Sequence, residues 1–222
     1  MHYYESFGQN WERAAMIKAR AVAGDIGAGG LLLRDLSSYI WRKYLDYAAI
    51  ADIHAMKRQI PAFRGFGEIA VGGHNIKVGR GGIREIEVFA QTQQLIAGGR
   101  QPDVRKPATL DALACLTARG WIKPEVRDEL TEAYQFLRRL EHRIQMVNDE
   151  QTQVLPSEAA ALDSLARFSG FDGTEALVKA LVARLATVQR HYAALFEDSP
   201  NLTRAGVNMV FAGEADDPVT VE

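Results

Sequence analysis

NIKVGRGGIREIEVFAQTQQLIAGG, residues 75–99, is the stretch on which the reading of this 222-residue chain turns. It divides into three. Residues 75–78 are short and partly β-branched, which predicts the approach of a strand. Gly79, Gly81 and Gly82 then allow a tight turn and a close approach of backbone to a ligand, because glycine has no Cβ to clash. Lys77 and Arg80 bring positive charge to that turn. IREIEV follows and alternates: Ile83, Glu85 and Glu87 share one face of a predicted strand, and Arg84, Ile86 and Val88 share the other. Residues two apart on a strand have Cα atoms about 6.6 Å apart. Two carboxylates on one face beside a basic glycine loop suit a divalent metal held next to phosphate. Read more plainly, the same residues are an ordinary turn and the wet face of an edge strand. GRGG is not a Walker loop, since no GK[ST] follows, and it is not GxGxxG.

Upstream, SFGQNWERAA has a helical composition, with Trp11, Ala14 and Ala15 as inward candidates. MIKARAVAG, residues 16–24, alternates like IREIEV. Ile17, Ala19 and Ala21 fall on one side, and Lys18, Arg20 and Val22 on the other, which predicts a half-buried strand carrying two cations. That face is either solvated or set beside the glutamate strand, where Lys18 and Arg20 would meet phosphate. Residues 24–30 read as a glycine-rich loop. Residues 31–60 read as mostly helix, broken near 43–46, with Ala49, Ile53, Met56 and Ile60 as a packing stripe. Residues 61–74 read as a loop, whose PAFRGFGE is a linker or a mobile flap.

Downstream, the pattern turns helical from about Val88 and stops at Gly98–Gly99. Beyond residue 100 the strand patterns vanish. Residues 108–119 predict a helix ending at Gly120. Pro124 opens another that runs to about Asn148. Its apolar positions Val126, Leu130, Ala133, Leu137, Leu140, Ile144 and Val147 alternate steps of four and three. A coiled coil has that spacing, but further amphipathic helices follow, so a bundle is the better reading. Arg138, Arg139, Glu141, His142 and Arg143 fall off the stripe and read as a solvated face, some of it within reach of the glycine loop. Ser157 is a cap for a helix to about Phe168, and Thr174 for one to about Phe196. The last of these has Leu177, Leu181, Leu185, Val188, Tyr192 and Leu195 as its stripe. Residues 200–222 have no period and include the acidic EADDP, as a linker does.

The totals exclude several classes. Hydrophobic residues make up 47% and charged residues 24%, an ordinary globular balance. A net charge of −2 gives no field for nucleic acid. Cys115 is the one cysteine and reads as a small core residue. The five histidines show no zinc-ligand spacing. No apolar run approaches the ~20 residues that span a bilayer, and no signal peptide opens the chain. The expectation is a cytoplasmic protein with neither a nucleic-acid nor a membrane partner.

NIKVGRGGIREIEVFAQTQQLIAGGR resembles the signature of the glutamine synthetase adenylyltransferase family, the bifunctional enzymes that attach AMP to glutamine synthetase and remove it. WERAAMIKARAVAGD (11–25), IWRKYLDYAAIADIHAMKRQI (40–60) and FLRRLEHRIQMVNDEQTQVLP (136–156) are similar to further blocks of that family, in its order. The resemblance implies the following. The fold class is α+β, mostly α: the remnant of a nucleotidyltransferase-type sheet followed by a helical bundle. Residues 1–100 are the later part of a nucleotidyltransferase domain, 101–198 a helical bundle domain and 199–222 a linker tail. The cofactors of the intact enzyme are Mg2+ and ATP or ADP. The partners are glutamine synthetase and the PII signalling protein, and the chain is a monomer. Glu85 and Glu87 are the catalytic and metal-binding candidates. Lys77, Gly79, Arg80, Gly81, Gly82, Arg84, Lys18 and Arg20 are the candidates for nucleotide and phosphate.

The family's G-S-x-x-D-x-D type aspartate loop is absent here: Gly24-Asp25 has no second aspartate two residues on. The chain therefore reads as a fragment, inactive alone, with the aspartate pair expected upstream of Met1. Arg-Glu at 84–85, where the attaching half tends to carry Thr-Asp, favours the deadenylylating half. The alternative is a helical interaction module that docks glutamine synthetase or PII without chemistry of its own. A third reading is a phosphate-binding α+β domain of another kind.

Overall fold

A computed structural model describes residues 2–42 and 71–197. The helix expected over 43–60, the stripe from Ala49 to Ile60, the flap at 61–68 and the tail at 200–222 lie outside the described residues.

The described residues are helical: α1 (His2–Ser6), α2 (Asn10–Met16), α3 (Ile26–Ile40), α4 (Ile83–Gly98), α5 (Thr109–Ala118), α6 (Pro124–Asn148), α7 (Ala159–Phe168) and α8 (Thr174–Glu197). A 3-10 turn at Pro102–Val104 joins α4 to α5.

Both long stripes hold. In α6, Leu130, Ala133, Leu137, Leu140 and Ile144 are buried, while Val147 is exposed near the helix end. In α8, Leu177, Leu181, Leu185, Val188 and Tyr192 are all buried. Each stripe recurs every three or four residues, so it stays on one side of a 3.6-residue helix. Burying a leucine contributes about 1.5–3 kcal/mol. The two stripes therefore explain why these helices pack on each other. Pro124 occupies the first turn of α6, where a missing N–H costs nothing. Gly120 and Gly170 take positive φ just past α5 and α7 and end those helices. Thr174, expected as a cap, is instead the first residue of α8, and its Oγ1 donates to Asp163 Oδ1 at 3.4 Å. Residue 158, not Ser157, precedes α7, and no side-chain cap is made there.

Three expected elements are different. Residues 83–88 are not a strand but the first turns of α4. Residues 16–24 are not a strand either: α2 ends at Met16, and a turn and irregular chain follow. Residues 24–30 are not a loop. Asp25 caps α3 through its Oδ1, which accepts from Ala28 N at 2.9 Å, and Gly27, Gly29 and Gly30 lie inside that helix. Trp11 and Ala15, expected inward, are exposed, whereas Ala14 packs on the small cluster of Ile17, Leu36, Tyr39, Ile40 and Leu95. No sheet forms among the described residues, so a nucleotidyltransferase sheet remnant is absent from them. What exists is a single antiparallel bridge, Asn75 with Val154. Around it, residues 73–76 exchange backbone hydrogen bonds with residues 153–155.

That bridge and α4 place the glycine loop. One apolar core runs from Ile76, Ile83, Ile86 and Phe89 through the helices to Tyr192. Helix α4 is buried on most sides, because α5, α6, α8 and α2 all pack around it. The loop preceding it is held between the α6–α7 connection and the middle of α8.

Candidate functional site

The loop from His74 to Gly82 satisfies its own backbone. Asn75 Oδ1 accepts from Lys77 N and Val78 N, both at 3.0 Å, and Asn75 O accepts from Gly79 N at 2.7 Å. Gly82 N donates to Gly79 O, Ile83 N to Ile76 O and Arg84 N to Lys77 O. Gly81 N donates to Glu85 Oε2 at 3.0 Å. The backbone donors of Gly79, Gly81 and Gly82, expected to face phosphate, thus point inward. Charge for an anion at this loop comes from side chains.

The glycines are required for a different reason from the one expected. A Cβ on Gly81 would lie 2.3 Å from Leu185 O, and its φ is +72°. A Cβ on Gly79 would lie 2.3 Å from Asn75 O, and one on Gly82 2.7 Å from Ile76 O. The backbone that approaches closely is the loop's own and that of α8.

Glu85 and Glu87 do not share a face. They stand two apart on a helix, where successive side chains rotate by about 100°, so they diverge. Glu85 is 3% exposed and caps the loop through Gly81. It also favours the positive end of the α4 dipole. Tyr192 of α8 is buried nearby: burial, reinforced by the Glu85 charge, holds its phenol well above the usual range, against an opposing pull from Arg84. Glu87 turns the other way. Its Oε1 takes Lys18 Nζ at 2.7 Å and its Oε2 lies 3.6 Å from Arg84. Lys18 also donates to Thr109 Oγ1 at 3.3 Å. Of the two readings of Lys18, solvated or set beside the glutamates, the second holds, although neither residue is on a strand. Arg20 is exposed and takes no part in these ion pairs.

On the other side of the loop, Lys77 pairs with Glu141 of α6 at 3.4 Å, and Arg138 bonds the same carboxylate at 2.6 Å. Glu141 is 1% exposed, not on the solvated face to which the heptad reading assigned it. Its spacing held the signal: it is four residues past Leu137 and three before Ile144, both buried. His74 lies against Gly79. Burial lowers its pKa, against a hydrogen bond to the Arg80 backbone that raises it.

A divalent metal needs several oxygen ligands converging on one point. Here Glu85 is committed to an amide and Glu87 to two cations. Among the described residues, no three His, Cys, Asp or Glu side chains gather to hold a metal. Among the described residues, Glu85 and Glu87 do not converge as the ligands of a magnesium ion must. What the arrangement offers is a rigid loop flanked by two ion-paired cation clusters, Lys18 with Arg84 and Lys77 with Arg138.

The model for GlnD PII-uridylyltransferase matches residues 56–196, and that for glutamate-ammonia ligase adenylyltransferase matches residues 1–33. The curated relatives include proteins named bifunctional glutamine synthetase adenylyltransferase/adenylyl-removing enzyme. That of Mesorhizobium japonicum is 59% identical over the whole chain, and that of Agrobacterium fabrum is 62% identical over 99% of it. That of Brucella melitensis is 56% identical over the whole chain. The chain spans 22% of the length of the first two and 23% of the third. No helix among the described residues is long and apolar enough to cross a membrane.

Proposed function

The chain belongs to the family of bifunctional glutamine synthetase adenylyltransferase/adenylyl-removing enzymes, its residues 56–196 being of the GlnD PII-uridylyltransferase type, and from that premise we propose that it is a segment of an enzyme that adenylylates glutamine synthetase and reverses the modification. The observation that carries this is identity to such enzymes along the full chain. Within the enzyme we assign the segment to the deadenylylating half, where AMP leaves a glutamine synthetase tyrosine by phosphorolysis. PII is its regulatory partner, and the cytoplasm its compartment.

The segment's contribution is positional and electrostatic. Phosphoryl and nucleotidyl transfer depends on holding the reactants in line and neutralising the charge that spreads over the phosphorus oxygens. Lys18, Lys77, Arg80 and Arg84 stand on or beside one stiff loop and suit that task. Phosphorolysis brings a second anion, inorganic phosphate, beside the AMP phosphate, which calls for cationic charge on more than one side. The glycines keep the loop flush against α8, so the cations are carried on a fixed frame. ATP, ADP and AMP are the nucleotides of the reaction. The metal chemistry belongs to carboxylates other than Glu85 and Glu87. With no G-S-x-x-D-x-D type aspartate loop in its sequence, the 222-residue chain mixed with ATP, magnesium and glutamine synthetase gives no turnover. Turnover that Glu87→Gln abolishes would overturn this reading.

A second reading has an observation on its side. The regular elements among the described residues are helices, and no metal-binding cluster gathers among those residues, which suits a module that docks glutamine synthetase or PII without chemistry. Binding of the isolated chain to unmodified and adenylylated glutamine synthetase separates the two. A phosphate-recognising segment prefers the adenylylated form, whereas a pure dock binds both alike.

A further inference from the structure

Glu141 is buried in the bundle, yet it is a carboxylate. Taking such a group out of water is costly unless it is paired and hydrogen-bonded. Its two oxygens meet that demand separately. Oε2 accepts from Arg138 Nη1 at 2.6 Å, one turn back on α6, and Oε1 meets Lys77 Nζ at 3.4 Å, from the glycine loop. The cations do not share its burial: the Lys77 and Arg138 side chains are 39% and 37% exposed, against 2% for Glu141. Two positive charges stand against one negative, so the trio carries a net charge of +1. An ammonium has three N–H donors and a guanidinium five, more than one carboxylate can take. The surplus charge and donors lie where solvent reaches.

We propose that Glu141 is a positioning residue, which sets Lys77 and Arg138 side by side as the site for one phosphate group at the edge of the glycine loop. The proposal rests on the reading of that loop as phosphate-binding, and it adds Arg138 as a second cationic ligand. Lys77 comes from a loop and Arg138 from a helix, and among the described residues the shared carboxylate ties their charged ends together. A bridge that merely fastened loop to helix would need one cation. The second, half-exposed one is explained by a ligand.

The sign of one substitution separates positioning from proximity. Were Glu141 only a nearby negative charge, Glu141→Gln would tighten anion binding by removing repulsion. As a positioning residue, its loss frees both cations and weakens binding by about tenfold, the worth of roughly one charge-assisted hydrogen bond. The experiment titrates the 222-residue chain with inorganic phosphate, and separately with AMP, by calorimetry. The two arms tell a free phosphate from a nucleotide's. Wild-type binding, with about tenfold weaker binding in Glu141→Gln and partial recovery in Glu141→Asp, supports the proposal. Arg138→Met leaves the Glu141–Lys77 pair in place and serves if Glu141→Gln does not fold; it too weakens binding. Unchanged or tighter binding in Glu141→Gln, or unchanged binding in Arg138→Met, overturns the role of Glu141 and leaves the loop reading standing. No wild-type binding of either probe overturns both.

Discussion

Gly81→Ala should destabilise this protein far more than its small size suggests. Gly81 has φ +72°, a left-handed conformation that costs a residue with a Cβ about 1–2 kcal/mol. The new Cβ would lie 2.3 Å from Leu185 O and 2.8 Å from Leu185 Cα. Those atoms belong to a buried helix backbone and cannot swing aside, so the loop must lift from α8. Lifting breaks the Gly81 N–H bond to Glu85 and leaves a buried carboxylate short of a donor, a loss of about 1.5–3 kcal/mol. Together these come to about 2.5–5 kcal/mol. For a chain of this length that lowers Tm by roughly 10 °C. Gly120 is the control. Its φ is +75°, but a Cβ there meets nothing within 4 Å. Gly120→Ala should therefore show the conformational cost alone, about 1–2 kcal/mol and a few degrees. Thermal melts of the two variants, followed by circular dichroism, make the comparison. If Gly81→Ala melts no lower than Gly120→Ala, the close packing of loop on α8 is refuted.

Further expectations concern the bundle, its ion pairs and the N-terminal helices. Leu137 is fully buried and Arg139 exposed, so Leu137→Asp should cost several kcal/mol and Arg139→Asp almost nothing; equal urea midpoints would refute the assignment of faces. The hydrogen bond with His191, ahead of the Arg190 charge, holds the Glu129 carboxyl of α6 below its ordinary value of 4.5. A depressed folded pKa contributes stability that is present above the unfolded value and lost as pH falls through the folded one. Glu129→Gln should therefore lower Tm slightly above pH 4.5 and converge with wild type in more acidic solution, and a gap that widens on acidification would contradict this. Lys18 ties the end of α2 to α4 and α5 through Glu87 and Thr109. Lys18→Met should speed amide exchange in α2 while leaving α6 and α8 protected, and uniform protection across the chain would show that the tether is idle.

The sequence was most legible where a helix keeps one wet face. The stripes of α6 and α8 recur every three or four residues because the other side of each helix meets water, and the structure buries both. Helix α4 has no such side: Glu85, Gln91, Thr92 and Gln94 are buried along with its apolar residues, which erases the amphipathic pattern. IREIEV seen alone fits a period of two as well as 3.6, and only the wider spacing of Ile83, Ile86, Ala90 and Ala97 favours the helix. Asp25 carried a capping signal that the glycines after it obscured. In the site, the basic glycine loop was legible from composition, whereas the approach of Lys18 was left open between a solvated face and a place beside the glutamates. The burial of Glu141 was missed because a sequence shows a charge but not the partners that let it be buried. The pairing of Glu85 with Glu87 failed because it depended on a strand.

Whether this segment carries phosphate-binding cations of the deadenylylating half is decided by an assay of the longer enzyme proposed to contain it. The measurement is ADP formation from adenylylated glutamine synthetase as phosphate concentration is raised, for wild type and Arg80→Ala. The account predicts phosphate-dependent ADP release and a higher half-saturating phosphate concentration in Arg80→Ala. An identical phosphate dependence in the two proteins, or no ADP from a domain that instead attaches AMP and releases pyrophosphate, would contradict it.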